Sequence, residues 1–251
     1  RRRERSLRPT GAAESGYFTT APREVDHYGL FATGYEPFLE WAAAPKAPLL
    51  HLTGLSGSGK SSLISAYLKP RLSAMQEGSK AVVLTIRSYK DPLAELKESL
   101  LVLWKKKPAD YGELSALEAL HRAARQLEGN NRLLVAFDQF EEFFLLRATA
   151  AETPGTDSDT APKQTAVVSE KDLAPLRHFL HCFINDPPER AAILLSYRED
   201  HRRLQSPLHL PARQEGLNWM TIDPLDFATA TAFLRSCPGI KVPEERMALV
   251  L

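Results

Sequence analysis

The sequence predicts an α/β fold: a three-layer sandwich around a five-stranded, mainly parallel sheet. Three observations predict it. Short, continuous apolar runs recur at 49–53, 81–86, 133–137, 191–197 and 218–222, without the polar alternation of a half-solvated strand. Helical stretches separate most of them, the pattern of a parallel sheet covered on both faces. The 251-residue length suits one large α/β domain, or one domain with part of a second. Right-handed crossovers then gather the loops that follow the strands along one edge of the sheet.

The elements follow in order. Residues 1–25 are polar, rich in Arg, Gly and Thr, and read as a disordered tail or linker. "EPFLEWAAA" (36–44) predicts a short helix stopped by Pro45, and "LLHLT" (49–53) a buried strand. Leu63, Ile64, Tyr67 and Leu68 share one face of a helix from Ser61 to Leu68, before Pro70. "AVVLTI" (81–86) is a second strand. Asp91 and Pro92 form an N-cap and N1 pair opening a helix to about Trp104. Leu117, Leu120, Ala124 and Leu127 mark another helix, closed by Gly129. "LLVAF" (133–137) is the third strand. Residues 150–171 lack aromatics and read as a flexible surface insertion. "DLAPLRHFLHCFIND" (172–186) is helical, and "AAILLSY" (191–197) and "NWMTI" (218–222) complete the sheet. From Asp223 the chain turns helical again. The main domain is expected over 26–223.

Composition narrows the function classes. The balance of 32 basic and 31 acidic side chains gives no support for bulk nucleic-acid binding. No apolar run approaches the ~18–20 residues that cross a bilayer. The basic start "RRRERSLRPT" lacks the apolar stretch of a signal peptide. Two cysteines far apart, Cys182 and Cys237, fit a reducing cytosol and argue against a disulfide scaffold. The chain does not begin with Met and ends "MALVL" within a helical pattern, so it reads as a piece of a longer protein.

The stretch Gly54-Leu55-Ser56-Gly57-Ser58-Gly59-Lys60-Ser61 matches G-x-x-x-x-G-K-[ST] in full, between a strand and an amphipathic helix. Glycines admit positive φ and let the backbone approach an anion. Successive N–H groups form a nest, and the following helix points its positive end at the same place. Lys60 can reach β- and γ-phosphates, and the Ser61 hydroxyl can ligate Mg²⁺; Ser62 is a second, less defined hydroxyl. A random chain this long matches about once in a hundred. The motif points to a nucleotide-phosphate site in a P-loop NTPase fold.

"LLVAFDQFEEFF" ends an apolar strand in Asp138, followed by Glu141 and Glu142. A carboxylate at the end of a strand neighbouring the Gly-rich loop is where Mg²⁺ would be held. Glu141 or Glu142, with Glu142 preferred, can activate a water for attack on the γ-phosphate. The competing reading is an acidic cluster complementing a helix N-terminus. Phe140, Phe143 and Phe144 read as core. "AAILLSYRED" sets Arg198 at a strand end, where a cation would face a γ-phosphate; the alternative is a surface arginine paired with Glu199 or Asp200. Arg202 and Arg203 read as a solvated basic face rather than fingers for a neighbouring subunit.

These residues together resemble the STAND class of P-loop ATPases, and within it the novel STAND domains of large bacterial regulatory proteins. The family's "GKSSL..A.L.P.L" stands here as "GKSSLISAYLKPRL", its "DQFEELF" as "DQFEEFF", its Arg-and-Pro turn as "LTIRSYKDPLAEL" and its sensor strand as "ILLSYRED". The resemblance runs from about Gly29 to the C-terminus. It implies ATP and Mg²⁺ as ligands, Asp138 on the metal, Glu141 and Glu142 on water, and Arg198 as a γ-phosphate sensor. Tyr35, in "ATGYEPF", stands where the family usually has an arginine that helps hold the base. Residues 224–251 resemble the start of a helical lid domain.

The expected function is a slow, Mg-dependent ATPase switch in a cytoplasmic signalling protein. It would control self-association through this domain and an attached effector, with effector and sensor domains outside the chain. The alternatives are a non-hydrolysing nucleotide-binding scaffold and a small-molecule or nucleotide kinase. The second lacks an Arg-rich acceptor lid.

Overall fold

The computed structural model describes residues 32–76, 80–104, 113–129, 131–150, 168–224 and 228. The expected tail at 1–25, most of the insertion at 150–171 and all but the first residues of the expected lid lie outside the described residues.

Five parallel strands form one sheet: β1 (Leu49–Thr53), β2 (Ala81–Ile86), β3 (Arg132–Phe137), β4 (Ala191–Ser196) and β5 (Trp219–Thr221), in the order β2-β3-β4-β1-β5. Each strand lies within two residues of its expected bounds. The registers Ile86↔Phe137, Phe137↔Leu195 and Leu52↔Ser196 align the C-terminal ends of four strands along one edge.

Side chains alternate between two cores. Leu50, Leu52, Leu134, Ala136, Ala192 and Leu194 pack with α1 (Ala32–Ala43) and α2 (60–74) on one face. Leu49, Leu133, Val135, Phe137, Ile193 and Leu195 pack on the other. That face is covered by α3 (Pro92–Leu103), α4 (Ala116–Gln126), α5 (Glu142–Ala150) and α6 (Glu170–Asn185). Because both faces are dry, β1, β3 and β4 are buried almost throughout, and this produces the continuous apolar runs of the sequence. Phe140, Phe143 and Phe144 lie in the second core, at 0–3 % exposure.

Local chemistry sets the helix ends. The Asp91 side chain accepts from the Ala94 N–H, and Pro92 follows at the first helical position. Ser115 and Glu118 form a reciprocal capping box at α4. Ser169 caps α6, so the last residues of the expected insertion are ordered as a helix start.

Three expectations are corrected. The first helix begins at Ala32 and runs through Pro37, whose fixed φ is helical. The helix after the Gly-rich loop does not stop before Pro70. α2 comprises α-helical Lys60–Ser62, a π-helical stretch Leu63–Leu68 and α-helical Lys69–Ala74. Pro70 has no N–H for the usual bond four residues back; the wide turn just before it, where the Lys69 N–H reaches the Ile64 carbonyl, lets the helix pass that residue. Finally, β3 does not neighbour β1, because β4 lies between them.

Candidate phosphate and metal site

The chain leaves β1 at Thr53 and turns sharply. The Gly54 carbonyl accepts from the Glu199 N–H at 3.1 Å, and the Ile222 N–H reaches the Thr53 carbonyl at 2.8 Å, so the loops after β1, β4 and β5 are bound together. A Cβ on Gly54, at φ +158°, would lie 2.5 Å from the Ile222 carbonyl oxygen and 2.6 Å from Ser58 Oγ. Neither backbone nor buried Ser58 has room to yield. Gly54→Ala is expected to cost about 2–3 kcal/mol, a Tm fall of roughly 4–12 °C in a domain of this size, measured by calorimetry. Gly59 has φ +91°, and a Cβ there would meet the Tyr35 hydroxyl at 3.2 Å. The Leu63 N–H then closes the first helical bond to the Gly59 carbonyl at 2.8 Å.

Lys60 folds back over this loop. Its Nζ donates to the carbonyls of Gly54 at 3.0 Å and Leu55 at 2.7 Å, and to Ser58 Oγ at 3.4 Å. Burial draws the ammonium below its ordinary pKa, opposed by the charges of Glu141 and Asp138. Ser56 and Gly57 are exposed, Ser58 is buried, and Ser61 and Ser62 are half-buried.

Asp138, fully buried, is the centre of the site. Oδ1 accepts from Ser61 Oγ at 3.0 Å and Ser196 Oγ at 3.2 Å. Oδ2 accepts from Arg87 Nη2 at 2.8 Å and Nε at 3.0 Å. The Asp138 carbonyl accepts from the Tyr89 hydroxyl at 2.7 Å. Asp138 thus reaches Ser61 directly across the end of the intervening β4, whose last residue, Ser196, donates to the same carboxylate oxygen. Arg87 escaped the sequence reading as a site residue. The usable signal was register: Arg87 follows Ile86 as Asp138 follows Phe137, and Ile86 pairs with Phe137.

The Asp138–Glu141 turn passes through Gln139 at φ 58°, a left-handed conformation unusual for glutamine. It sends Phe140 into the core and turns Glu141 toward the loop. Glu141 is 5 % exposed. Burial pushes its carboxyl above the ordinary carboxylate range, while its own N–H, Lys60 and the Arg198 N–H pull it down. Its Oε2 has no hydrogen-bond partner among the described residues. Glu142 is half-buried in the first turn of α5.

The Arg198 guanidinium is paired with Asp200, Nε to Oδ1 at 3.0 Å, while its charge still bears on Lys60 and Glu141. Arg202 pairs with Glu199 at 3.0 Å. Tyr35 is buried edge-on against Tyr67, with ring centroids 5.1 Å apart.

The donor chemistry fits Mg²⁺. Ser61 Oγ and the Asp138 carboxylate are hard oxygens 3.0 Å apart. Among the described residues no three His, Cys, Asp or Glu side chains group as a metal cage. Mg²⁺ characteristically takes one or two protein oxygens and completes its shell with phosphates and water.

Comparison with known proteins gives the family. A search of curated proteins finds no relative. Among solved structures, domain III of the Thermotoga maritima replication initiation protein DnaA is similar at 16 % identity. Its TM-score is 0.44, over 87 % of this chain and 74 % of that one. The family model for novel STAND NTPase 1 matches residues 39–226, well over half of the 251-residue chain and every strand of the sheet. With an NTPase domain matched over that span, the chain belongs to the novel STAND NTPase 1 family.

Proposed function

We propose that this domain binds ATP with Mg²⁺ at Gly54–Ser62 and hydrolyses it slowly, as the switch of a larger cytoplasmic signalling protein. The observation that carries this reading is the 3.0 Å contact between Ser61 Oγ and Asp138 Oδ1, beside the Gly-rich loop. Ser61 and Asp138 would hold the Mg²⁺. Bound there, Mg²⁺ supplies charge neutralisation to the β- and γ-phosphate oxygens. Lys60 would exchange the carbonyls of Gly54 and Leu55 for phosphate oxygens. Glu141, rather than the Glu142 preferred from sequence, would take the proton of the attacking water. It is the carboxylate that feels Lys60 and keeps an unpartnered oxygen. Arg198 would release Asp200 to meet the γ-phosphate, so the segment after β4 would report the nucleotide state. Self-association and control of an attached effector are the proposed outputs of that change.

The test is a calorimetric titration of ATP, with and without Mg²⁺, into the intact chain and Asp138→Asn, alongside phosphate release. The parent should bind more tightly with Mg²⁺. Asp138→Asn should lose that gain, roughly tenfold in affinity, while Mg²⁺-free binding stays unchanged. An unaltered Mg²⁺ response in Asp138→Asn would refute the metal assignment. Binding without phosphate release would favour a scaffold, and ATP loss only with an added acceptor would favour a kinase.

A further inference from the structure

A second polar cleft lies away from the Gly-rich loop, under the 3₁₀ segment Glu199–Leu208 and the chain that leads from it to β5. Its volume is ≈ 290 Å³, near the lower end of small-ligand pockets. His51 and Gln205 line it, and Arg202, Arg203, His209 and Arg213 contribute cationic or basic groups.

His51 sits in the middle of β1 and is 2 % exposed, an unusual residue for a strand otherwise made of Leu and Thr. Its Nδ1 lies 3.0 Å from the Tyr197 hydroxyl. The Arg213 guanidinium stands over the same tyrosine, 5.3 Å from its ring centre. Either atom can be the donor in the His51–Tyr197 bond, and a hydroxyl both donates and accepts, so Nε2 is a donor when Tyr197 donates to Nδ1 and an acceptor when Nδ1 donates to Tyr197. Burial and the Arg213 charge draw His51 down to about 3, so the ring is neutral at physiological pH.

His51 Nε2 is thus a buried polar atom with no partner among the described residues. Gln205 is 4 % exposed, and neither its amide nitrogen nor its amide oxygen has a partner among them. Burying donors and acceptors unpaired is costly, and native structures rarely do it. Here three such atoms belong to two residues lining one cleft, with guanidinium groups beside it. Arg202 is engaged by Glu199, and Arg213 lies over the Tyr197 ring. No ion pair is present for Arg203 among the described residues.

We infer that this cleft binds a small organic anion whose neutral end carries hydroxyl groups, with the anionic head on Arg203 and Arg213 and the hydroxyls on His51 and Gln205. Hydroxyls suit both partners, since each can donate to or accept from His51 Nε2 and exchange both kinds of hydrogen bond with a carboxamide. A guanidinium pair accepts either a phosphate or a carboxylate head.

The test uses three probes on the intact chain by calorimetry: ribose 5-phosphate, gluconate and inorganic phosphate. One of the two hydroxylated anions is expected to bind saturably and at least about tenfold more tightly than inorganic phosphate, since only it reaches the buried groups. The tighter of the two names the head group. Gln205→Leu should lose roughly tenfold in affinity for that probe, with no fall in the Tm of the unliganded chain, because it removes an unpaired amide without opening a void. Arg203→Ala, an exposed position, should lose a similar factor and separates lost contacts from lost fold. Binding that survives both substitutions lies elsewhere, at the Gly-rich loop, and overturns the assignment. So does a failure of all three probes to bind, or a Gln205→Leu chain that loses several degrees of Tm.

Discussion

Lys60→Ala is expected to weaken ATP binding by the intact chain about 100-fold or more, in titrations with and without Mg²⁺. The magnitude follows from what the ammonium does. It is the one cation bonded to the Gly54–Ser61 loop among the described residues, and it holds two loop carbonyls at 2.7 and 3.0 Å. Those bonds keep the side chain folded over the loop, aligned with the N–H groups that would receive phosphate. A charge-assisted contact to a phosphate oxygen in a half-closed site contributes more than a neutral one, and each 1.4 kcal/mol is tenfold in affinity. Burial already costs this ammonium part of its proton affinity, and an incoming polyphosphate reverses that cost. The effect is therefore larger than for a surface lysine. The substitution also strips the Gly54 carbonyl of one of its two donors, the other being the Glu199 N–H. The unliganded chain should lose only a little thermal stability, because the remaining loop contacts are backbone ones. Lys60→Arg keeps the charge but not its compact reach, and is expected to recover only part of the binding. Parent-like affinity in Lys60→Ala would remove the Gly-rich loop from consideration as the phosphate cradle.

What was legible in the sequence, and what was not, divides along a physical line. Strands buried on both faces write themselves as unbroken apolar runs, so the five strands could be read directly. The capping pairs at Asp91–Pro92 and the Gly-x₄-Gly-Lys-Ser loop are local chemistry, and local chemistry is carried by neighbours in sequence. Strand order is not local. Nothing in "LLVAF" says that β4 will separate it from β1, so the meeting of Ser61 and Ser196 on Asp138 Oδ1 was hidden until the strands were assembled. Arg87 was hidden for the same reason: its place on Asp138 depends on the pairing of β2 with β3. The distinction between Glu141 and Glu142 rests on a single left-handed residue, Gln139, which decides the carboxylate that turns inward. The buried Gln205 lay in a charged segment, "REDHRRLQSPL", whose composition reads as solvated surface.

Glu141→Gln is expected to lower ATP turnover by about 10²–10³-fold, the usual share of a general base, while leaving ATP binding within a few-fold of the parent. It should at the same time raise the Tm at neutral pH. Both effects come from one cause. Burial disfavours the charged carboxylate and raises its pKa, with Lys60 and two main-chain N–H groups offsetting part of that cost. A carboxyl raised in the folded state contributes stability below its unfolded pKa of about 4.3. That contribution is lost as pH rises through the higher folded value. At neutral pH the parent therefore carries a buried charge whose cost glutamine avoids, and the amide oxygen still accepts from the same N–H groups. The Tm advantage of Glu141→Gln should be greatest at the upper end of the pH range and shrink as pH falls toward the ordinary carboxylate range, where the parent carboxyl takes up its proton. Glu142→Gln, at a half-buried position in the first helical turn, should show neither effect beyond a small loss of helix-dipole stabilisation. Thermal melts from pH 8 to 5 and single-turnover phosphate release on the three chains separate the cases. If Glu142→Gln loses turnover and Glu141→Gln does not, the water belongs to the outer carboxylate. If Glu141→Gln destabilises the chain at pH 7, the carboxylate is a structural anchor for the Arg198 N–H. A gain in stability joined to a loss of turnover is the signature of a charge kept for chemistry at the expense of the fold.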